Sequence, residues 1–195
     1  MSRILAIIAP SGFQEIEYAA PKQVLESHGH TVVTASTTKN PVGHLGHSVT
    51  TNLLLSEVHA SDYDAVMFIG GPGAHFYFDH APALSLAKEF FNSGKLTCAI
   101  CAGPSILANA GLLNGVTSTS FPSHEQNLSA HGAKFTGNPV EQDGLIITAN
   151  GPAAAAAFGE KIHQALSGKK PIPKNTSANF SSSVRSPSTD FSRGS

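Results

Sequence analysis

The first 36 residues restrict the possible folds more than any other part of the chain. "RILAIIA", residues 3–9, is an apolar run of strand length. Residues 10–15 hold Pro10 and Gly12 and read as a loop. From Ile16 to His28, apolar side chains recur at Ile16, Ala19, Ala20, Val24 and Leu25, the spacing of one helical face. Gly29 follows, where a helix end favours glycine. "HTVVTAS", residues 30–36, is then a second β-prone run. Two strands joined through a helix pair in parallel, and the crossover helix covers one face of the sheet.

The rest of the chain extends this alternation. "DAVMFIGG", 64–71, and "LTCAI", 96–100, predict buried strands, with a helix over 82–92 between them. Pro104 opens a further helix. "VTSTSF", 116–121, predicts another short strand, and 123–131 a helix with Ser123 as its N-cap. "AKFTG", "PVEQDG" and "LIITAN" read as short strands with an Asp143-Gly144 turn, and Pro152 begins a last helix that ends near Gly168. Residues 37–60 carry glycines, histidines and β-prone pieces, and a small hairpin is expected around 47–55. The pattern predicts one α/β domain over 1–170. From 171 to 195 the chain is polar and serine-rich without periodicity, so a disordered tail is expected there.

Composition removes several function classes. The chain has 195 residues, is 41% hydrophobic and carries a formal net charge of -1 without a basic stripe. Nucleic-acid binding needs clustered Lys and Arg against phosphates, so it is not expected. "ILAIIAP" is far too short for a membrane span, and Gly12, Gln14 and Glu15 follow it without a cleavage-like site. A cytoplasmic location is expected.

The two cysteines, Cys98 and Cys101, are spaced C-x-x-C. Residues three apart on a strand face opposite sides of the sheet, beyond disulfide reach, so no disulfide is expected. A zinc site would lack two ligands, and no metal is expected. Cys101 stands in the corner between a strand and a helix start. Such a turn exposes its apex above the carboxyl ends of the strands, where parallel sheets bind ligands. A helix start favours a thiolate, and the small Ala102 and Gly103 leave room for a substrate and for backbone donors. Two readings stay open on these residues, an inert core thiol or a nucleophile.

"AICAGPSILANAGLL" (99–113), "GFQEIEYAAPKQVLESHGHTVVTAS" (12–36), "AVMFIGGPGAH" (65–75), "FPS" (121–123) and "DGLIITANGPAAAAAFG" (143–159) together resemble the ThiJ/PfpI superfamily, the DJ-one-like proteins that include peptidase C56-type members. The resemblance runs from about residue 3 to 170. It implies a flavodoxin-like three-layer sandwich with a mostly parallel central sheet, a nucleophile-elbow cysteine at Cys101, and a homodimer. The family's acid on the first helix falls on Glu17, beside the cysteine sulfur. A carboxyl there has its pKa raised by desolvation and like charge, and in its protonated form it donates to a thiolate. Without the resemblance, Glu17 is an acid at a helix start, with Glu15 as its competitor. The backbone amides of Gly71 and Ala102 become the expected oxyanion donors.

The sequence also departs from the family pattern. Protease-like members carry a histidine directly after the cysteine, where this chain has Ala102, and others carry one where it has Phe121. Arginines that line an anion pocket in some relatives are missing from the first helix. His75 is therefore the candidate general base, His124 the second and His80 the third. The two latter read more simply as surface-loop histidines. The resemblance implies a cofactor-independent enzyme of glyoxalase III or deglycase type, with a thiolate attacking a small dicarbonyl such as methylglyoxal. The alternatives are a redox sensor or chaperone with an oxidisable cysteine, and a cysteine peptidase or amidase, the latter weakened by Ala102.

Overall fold

The computed structural model describes residues 1–168. The expected tail over 171–195 lies outside the described residues. In chain order the elements are β1 (Arg3–Ile7), β2 (Ser11–Phe13), α1 (Glu15–Ser27), β3 (Thr31–Ser36), β4 (Val42–Gly43), β5 (Leu53–Leu54), β6 (Ala65–Phe68), α2 (Ala81–Asn92), β7 (Leu96–Ile100) and α3 (Pro104–Asn109). The remainder are β8 (Thr117–Ser118), α4 (Glu125–Ala130), β9 (Lys134–Phe135), β10 (Val140–Asp143), β11 (Ile146–Ala149) and α5 (Ala155–Ser167).

Seven strands form the central sheet in the order β10-β11-β7-β6-β1-β3-β5. All neighbours pair in parallel except β10 and β11, which are joined by a tight turn with Gly144 at φ 59°. β6 and β7 are buried at every position, as expected of a sheet covered on both faces. α1 packs on α5 on one side, and α2 packs on α3 on the other. Gly159 permits the α1–α5 approach, since a Cβ there would meet Pro21 Cα at 2.8 Å. This is the helix-covered parallel sheet that the βαβ opening predicts, in the three-layer α/β sandwich that the resemblance implies.

The order of the strands places a binding site. From β1 the chain steps outward to β3 and β5, then returns to β6 and steps the other way to β7 and β11. The reversal leaves a crevice above the carboxyl ends of β1, β6 and β7. Among the described residues, no helix is long and apolar enough to cross a membrane.

Three local expectations fail for identifiable reasons. The hairpin around 47–55 does not form. Instead β5 extends the main sheet beside β3, and β4 pairs in parallel with β2. The loop between them gives its amides to a side chain, with Leu45 N donating to Glu15 Oε1 at 2.7 Å. The strand expected over 116–121 shortens to β8, because the Thr119 amide donates to Thr148 Oγ1 at 2.9 Å instead of to a strand. Ser123 is not an N-cap: Pro122 opens a 3-10 turn over Pro122–His124, and α4 begins one residue later.

Candidate active site

Cys101 has φ 63°, and it is the only non-glycine residue at positive φ among those described. A β-carbon is disfavoured in that region, so the turn stores strain that its surroundings must hold. Two hydrogen bonds do so: Cys101 N donates to Ala149 O at 2.8 Å, and Phe121 N donates to Cys101 O at 2.9 Å. Gly103 makes the turn sterically possible, since a Cβ there would lie 2.6 Å from Phe68 O. The thiol is thereby lifted off the end of β7 rather than packed within the sheet.

Glu17 reaches the thiol from α1. Gln14 caps that helix, its Oε1 accepting from Ile16 N at 2.6 Å and Glu17 N at 3.2 Å, while Gln14 N donates to Gly70 O at 3.0 Å. The helix start is therefore tied to the loop after β6. The buried face of α1 is Glu17, Tyr18, Pro21 and Leu25, whereas Ile16 stays about half exposed. Of the apolar face expected from periodicity, Leu25 is buried and Ala20 packs against the core, but Ile16 and Ala19 are exposed, because the helix turns an acid inward.

The Glu17 side chain has no solvent exposure. Its oxygens lie against the Cys101 thiol and the Gly70 amide without completing a full hydrogen bond to either. Gly70 leaves the space in which acid and thiol meet, since a Cβ there would fall 2.5 Å from Glu17 Oε2 and 2.6 Å from Cys101 Cβ. Gly71, at φ 101°, must also be glycine, because a Cβ would lie 2.5 Å from Gln14 N.

Burial pushes the Glu17 carboxyl up from 4.5 to about 7, against the pull of its contacts with Cys101 and Gly70. Burial, then the neighbouring Glu17 charge, pushes the Cys101 thiol up to about 12, against the pull of the Gly71 and Ala102 amides. The expectation of a thiolate set by the helix start alone is thus not met. α3 is only six residues long, and desolvation outweighs its end. The two groups behave as one unit: they resist carrying two negative charges, and the first proton leaves the pair near neutrality. Both amides expected as oxyanion donors do face the sulfur.

A pocket of about 360 Å³ opens over this pair, lined by Cys101, Glu17, Gly71, Phe121, His75 and His124 among others. Cys101 is only 8% exposed, yet it borders this space. His75 lies on the exposed rim, in the 3-10 turn after the glycine loop. His124 is half-buried in the wall, its ring 5.5 Å from that of His75, and its Nδ1 is 3.1 Å from Ser105 Oγ. Reading His124 as a surface-loop residue is therefore corrected. The helix start at α3 and the turn at Pro122 converge in space, which spacing along the chain does not reveal. His80 lies elsewhere and caps α2, its Nδ1 accepting from Ala83 N at 3.3 Å. Sequence reasoning missed Ser105, since a serine inside a helix carries no chemical signature.

Among the described residues, no group of three His, Cys, Asp or Glu side chains is arranged to hold a metal ion. Cys98 and Cys101 are both free thiols.

The model of the DJ-1/PfpI family matches residues 2–165. An uncharacterized protein of Methanocaldococcus jannaschii is 37% identical over 169 residues, covering 85% of this chain and 82% of that one. A Pyrococcus horikoshii protein named as a deglycase is 31% identical over 147 residues, covering 75% of this chain and 89% of its own. The crystal structure of a ThiJ/PfpI domain protein from Brachyspira murdochii superposes with a TM-score of 0.83 at 32% identity, covering 85% and 96% of the two chains. The match of the family model along residues 2–165 places this chain in the DJ-1/PfpI family.

Proposed function

We propose that this protein is a cofactor-independent cysteine enzyme acting on small reactive dicarbonyls or their adducts. The observation that carries the reading is the contact of a strained thiol with a fully buried acid at the floor of an open pocket. The deglycase name of the Pyrococcus relative supports the substrate class.

The proton shared by Cys101 and Glu17 sets the chemistry. When it sits on Glu17, the sulfur carries the charge and faces the Gly71 and Ala102 amides. The thiolate adds to the aldehyde carbon of methylglyoxal, and Glu17 delivers its proton to the new alkoxide, giving a hemithioacetal. The Glu17 carboxylate, assisted by His75, then takes the proton from that carbon and returns it to the neighbouring carbon, while the hydroxyl proton passes to the former ketone oxygen through the enediol. The result is a thioester of lactate. Water cleaves the thioester and releases lactate and the thiol, so the net reaction is methylglyoxal plus water to lactate. A carboxyl held up to about 7 is suited to giving and taking protons near neutral pH.

The test is to mix purified protein with methylglyoxal and measure D- and L-lactate. Lactate well above the Cys101→Ala background supports the reading. Lactate no higher than that background removes it, and selective Cys101 oxidation by mild peroxide in the same protein then favours the sensor role. A homodimer belongs to this proposal, and the exposed apolar Ile16, Val42 and Leu45 near the start of α1 support it. Sedimentation velocity checks it.

A further inference from the structure

We propose that His124 is a proton-transfer residue of the Cys101 pocket and that Ser105 is its positioning residue. The inference rests on the enzyme reading above and goes beyond it, since relatives carry a histidine at the position of Ala102 or of Phe121 and not at that of His124.

The geometry separates the two pocket histidines. His75 is exposed on the rim, and no hydrogen bond holds its ring in one orientation among the described residues. His124 is half-buried between the Phe78 and His75 rings, with centroids 5.7 and 5.5 Å away. Its Nδ1 meets Ser105 Oγ at 3.1 Å. Ser105 is fully buried one residue past Pro104, so its hydroxyl is fixed by the same short turn that fixes Cys101. Among the described residues that hydroxyl has no other side-chain partner, and its bond occupies Nδ1 and leaves Nε2 as the ring nitrogen free to act. Burial and then the neighbouring His75 push the His124 pKa down, which favours the neutral ring. Ser105 touches no reacting atom in this scheme and acts only through His124.

The experiment uses the full chain and the variants His124→Gln, Ser105→Ala, Ser105→Thr and the double variant. Three readouts are taken: kcat and KM for lactate formation, the pH profile of Cys101 alkylation by iodoacetamide, and the His124 tautomer by long-range 15N correlation. His124→Gln is expected to lower kcat about 100-fold, the usual worth of a positioned acid–base group. Ser105→Ala lowers it about tenfold, the worth of one oriented hydrogen bond, with KM nearly unchanged. Ser105→Thr restores most of that loss, and the double variant is no slower than His124→Gln. A single His124 tautomer becomes mixed in Ser105→Ala. Wild-type kcat in Ser105→Ala, or additive losses in the double variant, overturns the proposal. If the wild type forms no lactate, the enzyme reading fails, and alkylation decides alone. A His124-dependent inflection that Ser105→Ala displaces supports the positioning. Identical profiles in all variants overturn it.

Discussion

Cys98 and Cys101 lie three residues apart, and Glu15 and Glu17 two apart, yet one member of each pair is structural and the other sits in the pocket. Cys98 is inside β7, fully buried, with its thiol pushed far up by desolvation alone. Cys101 is past the strand end, twisted to positive φ and facing two amides and an acid. Glu15 accepts amides from Leu45 and His47 at 2.7 and 3.4 Å. Burial raises its pKa, but the bonds from its own amide, Leu45 and His47, with the His47 ring, together hold it below the ordinary value. Glu17 has only incomplete contacts with the Gly70 amide and the Cys101 thiol, and burial outweighs them and carries it up to about 7. The residue type is the same within each pair. What differs is whether backbone donors reach the group before desolvation decides its charge.

The largest effect is expected at the pocket thiol. Cys101→Ala abolishes labelling by iodoacetamide below pH 9, read by intact mass, whereas Cys98 stays unlabelled in every variant because it is sealed. Labelling of Cys98 in the folded protein would dissolve the contrast between the two thiols.

Next comes Glu17, through pH. Its folded pKa is raised, so its stabilising contribution is complete below 4.5 and is lost as pH rises through about 7. Wild type should lose up to about 3 kcal/mol between these limits, from 1.36 kcal/mol per pKa unit. Glu17→Gln should not show that loss. Urea midpoints at pH 5 and pH 8 measure it, and equal slopes in the two proteins would mean that the acid is not buried as described.

Glu15 should behave in the opposite sense. Its folded pKa is lowered, so its contribution is present above the ordinary value and is lost as pH falls through the folded one. Glu15→Gln should lose about 1 kcal/mol at pH 7 by weakening charge-assisted bonds to the 45–47 loop, and little at acid pH. Cys98→Ala should cost a similar ~1 kcal/mol for a one-atom cavity and leave kcat unchanged, the smallest effect on activity.

The sheet was readable because its strands are buried on both faces and so appear as apolar runs such as "LTCAI". Proline and glycine punctuation marked the helix starts at Pro104 and Pro152 and the Asp143-Gly144 turn for the same reason, since those residues fix backbone angles locally. The edges were less readable. β5 and β8 have two residues each; Asn52 Oδ1 accepts from Thr34 N and ties the start of β5 to β3, and Thr148 takes the amide that ends β8, contacts between segments distant in sequence. At the site, the elbow and the glycine loop were visible as turn chemistry. The family resemblance, not periodicity, singled out Glu17, since a helical-face count puts Ile16 inside and the acid outside.

The amino-acid sequence by itself determined the alternation of strands and helices, the strained corner at Cys101 and the glycines that crowd around it. These follow from local backbone preference and from the period of apolar residues. Only the tertiary structure decided that Glu17 faces the thiol while fully buried, that burial outweighs the start of a short helix in setting the charge of that pair, and that Ser105 holds His124 in the pocket wall. Each of these depends on desolvation or on contacts between distant segments, and neither is a property of any short stretch of chain.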